Sequence, residues 1–315
     1  MINKDIVIGI DTSNYTTSVA LITLDGEMLA NLKYPLSVKE GERGLRQSDA
    51  VFAHVKNLPL AMDRVRELIE GKHIVAVGVS EKPRNMEGSY MPCFLSGVSA
   101  AESIGAALGV PVYRFSHQCG HIMAALYSSG ADFDKWGHFG AFHISGGTTE
   151  LLMVTPTENS FRAELVGGTR DLNAGQIIDR VGVHLGFDFP AGPVLESLAL
   201  ECKKIPAYKR PRVTDTYANL SGLENIAFKH YSESGDASST AALVLSYLGD
   251  AIIAMCEGYI HRYGSGPFVF AGGVMCNSLI KARLEGKFDA YFAEPKLSAD
   301  NAVGIAELAR REHLK

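Results

Sequence analysis

Three features of this chain predict a two-lobed α/β architecture: its length, a duplicated β-hairpin pattern, and the helices and strands that follow each copy. At 315 residues it is about twice the usual single-domain size, so two domains with separate cores are expected. The first pattern runs from Ile6 to Ile22 and the second from Gly140 to Val154. Each is a β-branched strand, a tight turn of hydroxyl and glycine residues, and a second apolar strand. A repeat on this scale sets an architecture before any motif is considered. The expected boundaries are 1–130 for an N-terminal lobe that ends on the helix carrying His117 and His121, and 131–315 for a C-terminal lobe.

The elements follow in order. Ala50 to Glu70 has helical apolar spacing through Val51, Val55, Leu58, Val65 and Leu68, and Gly71 ends it. Ile74 to Val79 is a buried strand, Ser99 to Leu108 a small-residue helix stopped by Gly109, and Pro111 to Phe115 the next strand. In the second half, Ala241 to Tyr259 is a long amphipathic helix, Phe268 to Phe270 a strand, and Ala302 to His313 a terminal helix. Ile6 to Ile10 is too short for a signal-peptide core or a membrane span, and no later apolar run is expected to reach spanning length. The expectation is a cytoplasmic protein with no membrane partner.

Composition narrows the function classes. With 46% hydrophobic and 21% charged residues the chain has the balance of a globular protein, without a disordered tract. The five cysteines, Cys93, Cys119, Cys202, Cys256 and Cys276, are scattered singly, which argues against a disulfide framework. All except Cys119 are expected to be buried packing residues. A net charge of −5 is not that of a general nucleic-acid binder. One local exception is Lys203-Lys204-Ile205-Pro206-Ala207-Tyr208-Lys209-Arg210-Pro211-Arg212, with five cations around one aromatic residue. It is either a nucleic-acid patch or a solvated connecting loop.

His117-Gln118-Cys119-Gly120-His121 follows a strand directly and leads into a helical stretch. A spacing of four puts both imidazoles on one helix face, where they can share a borderline metal such as zinc or iron. With ten histidines in the chain, the pair is equally explained as two solvated helix residues. Cys119 would point about 200° away from His117 on that helix, so packing suits it better than ligation. A third ligand is available in Asp300, although an aspartate just before a helix reads first as an N-cap. Gly272-Gly273 ahead of Asn277, and Gly192 in Phe189-Pro190-Ala191-Gly192-Pro193, are turns where a base or phosphate can approach the backbone. Ordinary glycine turns explain either one equally well.

Two lobes, each opened by a hydroxyl- or glycine-rich hairpin and flanking a central cleft, resemble the actin, sugar kinase and Hsp70 superfamily. Within it the chain is similar to one family, the TsaD glycoprotease-like proteins. The family's HxEGH motif corresponds to His117-Gln118-Cys119-Gly120-His121 and its SGGHT loop to Ser145-Gly146-Gly147-Thr148-Thr149. Its DDAxGExFDK segment matches Asp171 to Arg180, and its PGGP turn matches Pro190-Ala191-Gly192-Pro193. The SGLK, GGVxxN and DNA elements match Ser221 to Glu224, Gly272 to Asn277 and Asp300-Asn301-Ala302. These matches run collinearly over nearly the whole chain.

The resemblance implies a metal-dependent transferase that moves a threonylcarbamoyl group from threonylcarbamoyl-AMP to the adenosine next to the anticodon of tRNA. It implies one divalent metal per chain, iron or zinc, on His117, His121 and Asp300. It implies an adenylate or ATP-type nucleotide ligand against His143, Ile144, Ser145, Gly146, Gly147, Asp179, Gly192 and Asn277. No side-chain nucleophile is identified, so direct attack by the adenine amine is expected. A TsaB-like partner subunit or a homodimer is the implied assembly. The family's glutamate, histidine, aspartate, glutamate and lysine are replaced at Cys119, Thr148, Leu172, Gln176 and Glu224. These departures point to a divergent paralogue, so action on another nucleotide or carbamoyl adenylate stays open. A third reading is a non-catalytic subunit of the tRNA modification complex.

Overall fold

The computed structural model describes residues 4–37, 45–158 and 161–315, which form two compact units. Unit 1 comprises Met1–Ala131, Pro156–Arg162 and Ala299–Lys315. It opens with β1 (Asp5–Ser13), β2 (Thr16–Thr23) and β3 (Met28–Pro35), continues through α1 (Gln47–Leu68), β4 (His73–Lys82), α2 (Phe94–Leu108) and β5 (Val112–Ser116), and enters α3 (His117–Ser129). The strand order is β3-β2-β1-β4-β5. β1 and β2 are the antiparallel arms of the expected hairpin, in register from Ile6↔Thr23 to Ser13↔Thr16, while β4 runs parallel to β1 and to β5. Alternation along the strands puts Ile8, Ile10, Val19, Val77 and Val79 into a core with Leu58, Ala61 and Val65 of α1 and Ala101 of α2.

Unit 2 comprises Asp132–Thr155 and Ala163–Ser298. Its elements are β6 (Phe139–Ile144), β7 (Thr149–Pro156), β8 (Phe161–Thr169), α4 (Ala174–His184), α5 (Gly192–Glu201), β9 (Arg212–Thr214), β10 (Tyr217–Asn219), α6 (Gly222–Ser234), α7 (Ala237–Tyr263), β11 (Phe268–Ala271), α8 (Ser278–Glu285), β12 (Ala290–Phe292) and α9 (Pro295–Ser298). The strand order is β12-β11-β6-β7-β8-β10-β9. Without the added β10 and β9, the order β8-β7-β6-β11-β12 repeats β3-β2-β1-β4-β5. The duplication expected from the two hairpins is therefore a duplication of sheet topology. Phe142, Phe268, Phe270 and Phe292 pack as an aromatic ladder on one side of this sheet, against the core that holds α7.

The last helix, α10 (Val303–His313), returns to unit 1, whereas the sequence reading placed it in the C-terminal lobe. Glycines explain the return. A Cβ on Gly9 of β1 would stand 2.6 Å from Ala302 O and from Ala306 N. One on its parallel neighbour Gly78 of β4 would stand 2.7 Å from Ile305 O. Bare backbone on two adjacent strands makes a groove in which a helix of small residues can lie. Glu307, 5% exposed, is held there by Nε and Nη2 of Arg310, each at 2.7 Å, and Arg310 Nη1 donates to Leu24 O at 2.8 Å. Buried charges need this pairing.

Two further expectations are corrected. α7, at 27 residues, is long and apolar enough to cross a membrane, but 78% of its apolar window is buried within the protein, so it serves as a core helix. Of the four cysteines expected to be packing residues, Cys93 and Cys256 are buried, Cys202 is partly covered, and Cys276 is exposed on the turn after β11.

Candidate metal centre and nucleotide-binding loops

α3 begins where β5 ends. Ser116 is its N-cap, accepting from Cys119 N at 3.2 Å, so His117 is the first helical residue and His121 lies one turn on. The two Nε2 atoms are 3.0 Å apart. Asp300 Oδ1 lies 3.7 Å from His117 Nε2 and 3.3 Å from His121 Nε2. Tetrahedral coordination at about 2.0–2.1 Å per ligand requires ligand atoms about 3.3–3.4 Å apart. The three atoms fit that spacing, and two imidazoles with one carboxylate are a donor set that zinc or iron accepts.

Asp300 is not the N-cap of α10. Ala302 stands there, and Asn301 Oδ1 just before it accepts from Val303 N at 3.0 Å, while the Asp300 carboxylate is turned toward the histidines. Glycine again sets the approach. On Gly304 a Cβ would stand 2.7 Å from Ala124 N, and on Gly120 a Cβ would stand 3.0 Å from the Ile305 side chain. α3 and α10 therefore meet nearly backbone to backbone, beside His121 on α3 and four residues after Asp300 on the other segment.

Asp11 is the functional residue that sequence reasoning missed. Fully buried at the end of β1, it places Oδ2 2.7 Å from His117 Nδ1 while Oδ1 accepts from Ser13 N at 2.9 Å. A carboxylate on the far nitrogen fixes the tautomer that points Nε2 at a metal and makes the ligand more basic. Burial alone would raise the Asp11 carboxyl, but attraction to His117 and the neighbouring Ser80 bring it below the ordinary range. Burial opposes a charge on His117, and the nearby carboxylates Asp11 and Asp300 more than reverse it, lifting the imidazole to about 9. The signal available in the sequence was Asp11 itself, the one acid between Ile6 and Ile22 of the first hairpin. Cys119 faces the core, with burial raising its thiol, and supports the packing reading.

The eight proposed adenylate positions lie in unit 2. His143 and Ile144 end β6, and Ser145 to Gly147 form the turn, closed by Ser145 N donating to Thr148 O at 2.8 Å. Asn173 Nδ2 donates to Gly147 O at 2.9 Å, and Ala174 N donates to Thr149 Oγ1 at 2.9 Å. The start of α4 is thereby stitched to the turn, and a Cβ on Gly175 would stand 2.7 Å from Gly146 N. Gly272, at φ 97°, packs on Ile144 and brings the β11 turn alongside. Asp179 Oδ1 accepts from Ala191 N at 2.9 Å at the start of α5, where Gly192 stands. Burial raises the Asp179 carboxyl despite that bond. Asn277 is buried and uses Oδ1 to cap α8 through Ile280 N. At Gly146, Gly147, Gly192 and Gly273 an added Cβ would meet nothing within 4 Å, so open space faces each backbone. Two departures from the family pattern have structural partners. Gln176 Oε1 accepts from Asn173 N at 3.1 Å as the helix's reciprocal cap, and Glu224 pairs with Arg180 at 3.1 Å.

A duplicated sheet, a His–His–Asp trio and a set of open glycine turns define an α/β protein of the actin-like ATPase and sugar kinase type. Solved structures share that fold. They include T. kodakarensis HypF (TM-score 0.62, 12% identical, 98% of this chain and 47% of that one). Another is the (R)-2-hydroxyglutaryl-CoA dehydratase component A of Acidaminococcus fermentans (0.58, 14%, 98% and 99%). A ROK family protein from Streptococcus pneumoniae TIGR4 is a third (0.56, 11%, 98% and 98%). The family model described as TsaD, tRNA N6-adenosine threonylcarbamoyltransferase, matches residues 29–307, and the chain belongs to this family of transferases. The protein of that name from Streptococcus suis (strain 05ZYH33) is 29% identical over 331 aligned residues, covering 100% of this chain and 94% of its own. The one from Methanopyrus kandleri is 27% identical over 312, covering 96% and 86%.

Proposed function

We propose that the protein transfers a threonylcarbamoyl group from threonylcarbamoyl-AMP to the N6 amine of an adenosine in tRNA, using a divalent metal on His117, His121 and Asp300. The observation that carries this reading is the convergence of His117 Nε2, His121 Nε2 and Asp300 Oδ1, backed by Asp11, in a chain of the TsaD family. With three protein ligands a bound metal keeps positions open and supplies Lewis-acid polarisation of the donor carbonyl. The rest is positioning. Within the Ser145 to Gly147 turn the Gly146 and Gly147 N–H groups are offered to the phosphate, and Gly192 and Gly273 let the nucleoside approach the main chain. In the transfer, N6 bonds to the carbamoyl carbon, the bond from that carbon to the phosphate oxygen breaks, AMP leaves, and one N6 proton is released. A cytoplasmic setting and a TsaB-like partner subunit or homodimer belong to the same proposal.

The test is mass analysis of tRNA nucleosides after incubation with threonylcarbamoyl-AMP, paired with metal content. Wild-type protein is expected to hold about one metal per chain and to convert adenosine, and His117→Ala and Asp300→Ala are expected to lose both. Metal content unchanged in both variants would end the three-ligand assignment. A metal-loaded protein that leaves tRNA unmodified would redirect the site to another carbamoyl adenylate or acceptor.

A further inference from the structure

We infer that the loop 203–212, together with Arg170, is a docking surface for the phosphate backbone of RNA. The inference rests on tRNA being the acceptor proposed above and adds where the acceptor is held. Lys203, Lys204, Lys209, Arg210 and Arg212 are all exposed, and none makes an ion pair among the described residues. Other surface cations have acidic partners, for example Arg180 with Glu224 and Lys287 with Glu257. In a chain of net charge −5, five exposed cations without partners within ten residues, flanked by only Glu201 and Asp215, form a concentrated positive surface.

The loop is anchored. Tyr208, at its centre, is half-buried against Tyr247, with ring centroids 5.8 Å apart, and donates its hydroxyl to Asp250 Oδ2 at 2.8 Å. The Arg283 guanidinium takes the other oxygen of Asp250, so that acid is satisfied and does not neutralise the loop. Lys204 and Lys209 on either side are thus exposed around a half-buried pin between them. The tertiary structure then adds a sixth cation. Arg212, on the edge strand β9, pairs with Asn219 of β10. Arg170 donates its backbone N–H to Ala218 O of the same strand at 3.0 Å and lays its guanidinium over the Tyr217 ring at 5.2 Å. Residues about forty positions apart therefore flank one short strand at the margin of the sheet. Cations on a fixed frame beside an exposed strand edge suit a repeating phosphate backbone, where contacts position rather than specify.

The experiment uses the full-length protein and a fluorescein-labelled tRNA transcript, followed by anisotropy between about 50 and 200 mM salt. Lys203→Glu/Lys204→Glu and Arg210→Ala/Arg212→Ala are each expected to weaken binding about tenfold or more. Each should also flatten the dependence of log affinity on log salt by about 0.9 per phosphate contact removed. Thermal midpoint and metal content should stay at wild-type values. Lys56→Glu, an exposed charge change on α1, should leave affinity in place and so separates a local surface from overall charge. Wild-type affinity and salt slope in both double variants, an equal loss with Lys56→Glu, or a wild-type protein that binds no tRNA at low salt would each overturn the surface. Weakened binding in the variants of a protein that transfers nothing to tRNA would keep the surface and remove the transfer reading. Normal binding in the variants of an active protein would do the reverse.

Discussion

The two hairpins share a topology and use it in opposite ways. In unit 1 the β1–β2 hairpin works through side chains: Asp11 is fully buried at the end of β1 and holds His117. In unit 2 the β6–β7 hairpin works through backbone, with Gly146 and Gly147 exposed at its turn. The glycines divide along the same line. Gly9, Gly78 and Gly304 stand where another backbone occupies the place of a Cβ and Gly120 where the Ile305 side chain does, while Gly146, Gly147, Gly192 and Gly273 face open space. One fold thus brings the proposed metal ligands together by drawing helices close and shapes the proposed nucleotide-binding turns by leaving main chain bare. Alanine at the two kinds of glycine should separate stability from binding.

The largest effect is expected at Gly304→Ala. The new Cβ meets the backbone of α3, which cannot move aside cheaply, so a loss of about 3 kcal/mol or more is expected in chemical denaturation. Metal content should fall with it, since Asp300 rides on the same segment. A variant with wild-type midpoint and metal would mean that the α3–α10 contact has slack. Next comes Asp11→Asn, which keeps shape and removes charge. Metal affinity measured with a competing chelator should drop about 10–100-fold while the fold persists. An unchanged affinity would reduce Asp11 to a packing role.

In unit 2 the order of effects reverses. Gly146→Ala should leave stability within about 0.5 kcal/mol. AMP binding by calorimetry should weaken about tenfold, the equivalent of roughly one lost hydrogen bond. Loss of stability without loss of AMP binding would place this glycine with the packing set. The smallest effect concerns Asp171. It is burdened by partial burial, yet it accepts from Leu220 N at 2.8 Å, Leu172 N at 2.8 Å and Ser221 Oγ at 2.7 Å, which hold its carboxyl well below the ordinary carboxylate range. A depressed carboxyl adds stability that is complete above its unfolded value and is lost as pH falls through the folded one. Asp171→Asn should lower the midpoint at neutral pH by a few degrees and narrow its gap from wild type in strong acid. A gap constant with pH would show that the charge contributes nothing.

Much of this was legible in the sequence because it is local. Both hairpins, α7, β11 and the helix behind the histidine pair follow from apolar periodicity, and the i, i+4 spacing of His117 and His121 puts both imidazoles on one face wherever the helix goes. The turn glycines at 146 and 147 were readable for the same reason, being contiguous with the strands that frame them. β9, β10 and β12 were not readable, since three residues carry too little pattern to distinguish a strand from a loop.

Sequence alone thus determined the duplicated architecture, the histidine pair and the glycine turns, each set by residues within a few positions of one another. Tertiary structure decided which partner each of them met. Asp300 read as a helix cap until Ala302 took that position and α10 settled in the groove over Gly9 and Gly78. Asp11 was one polar residue in a strand until its carboxylate met His117. Arg170 and Arg212 became neighbours only across β10. For α10 and Asp300 the physical reason is plain: backbone meets backbone where a side chain is missing, and the absence of a Cβ acquires meaning only when another chain segment fills its place.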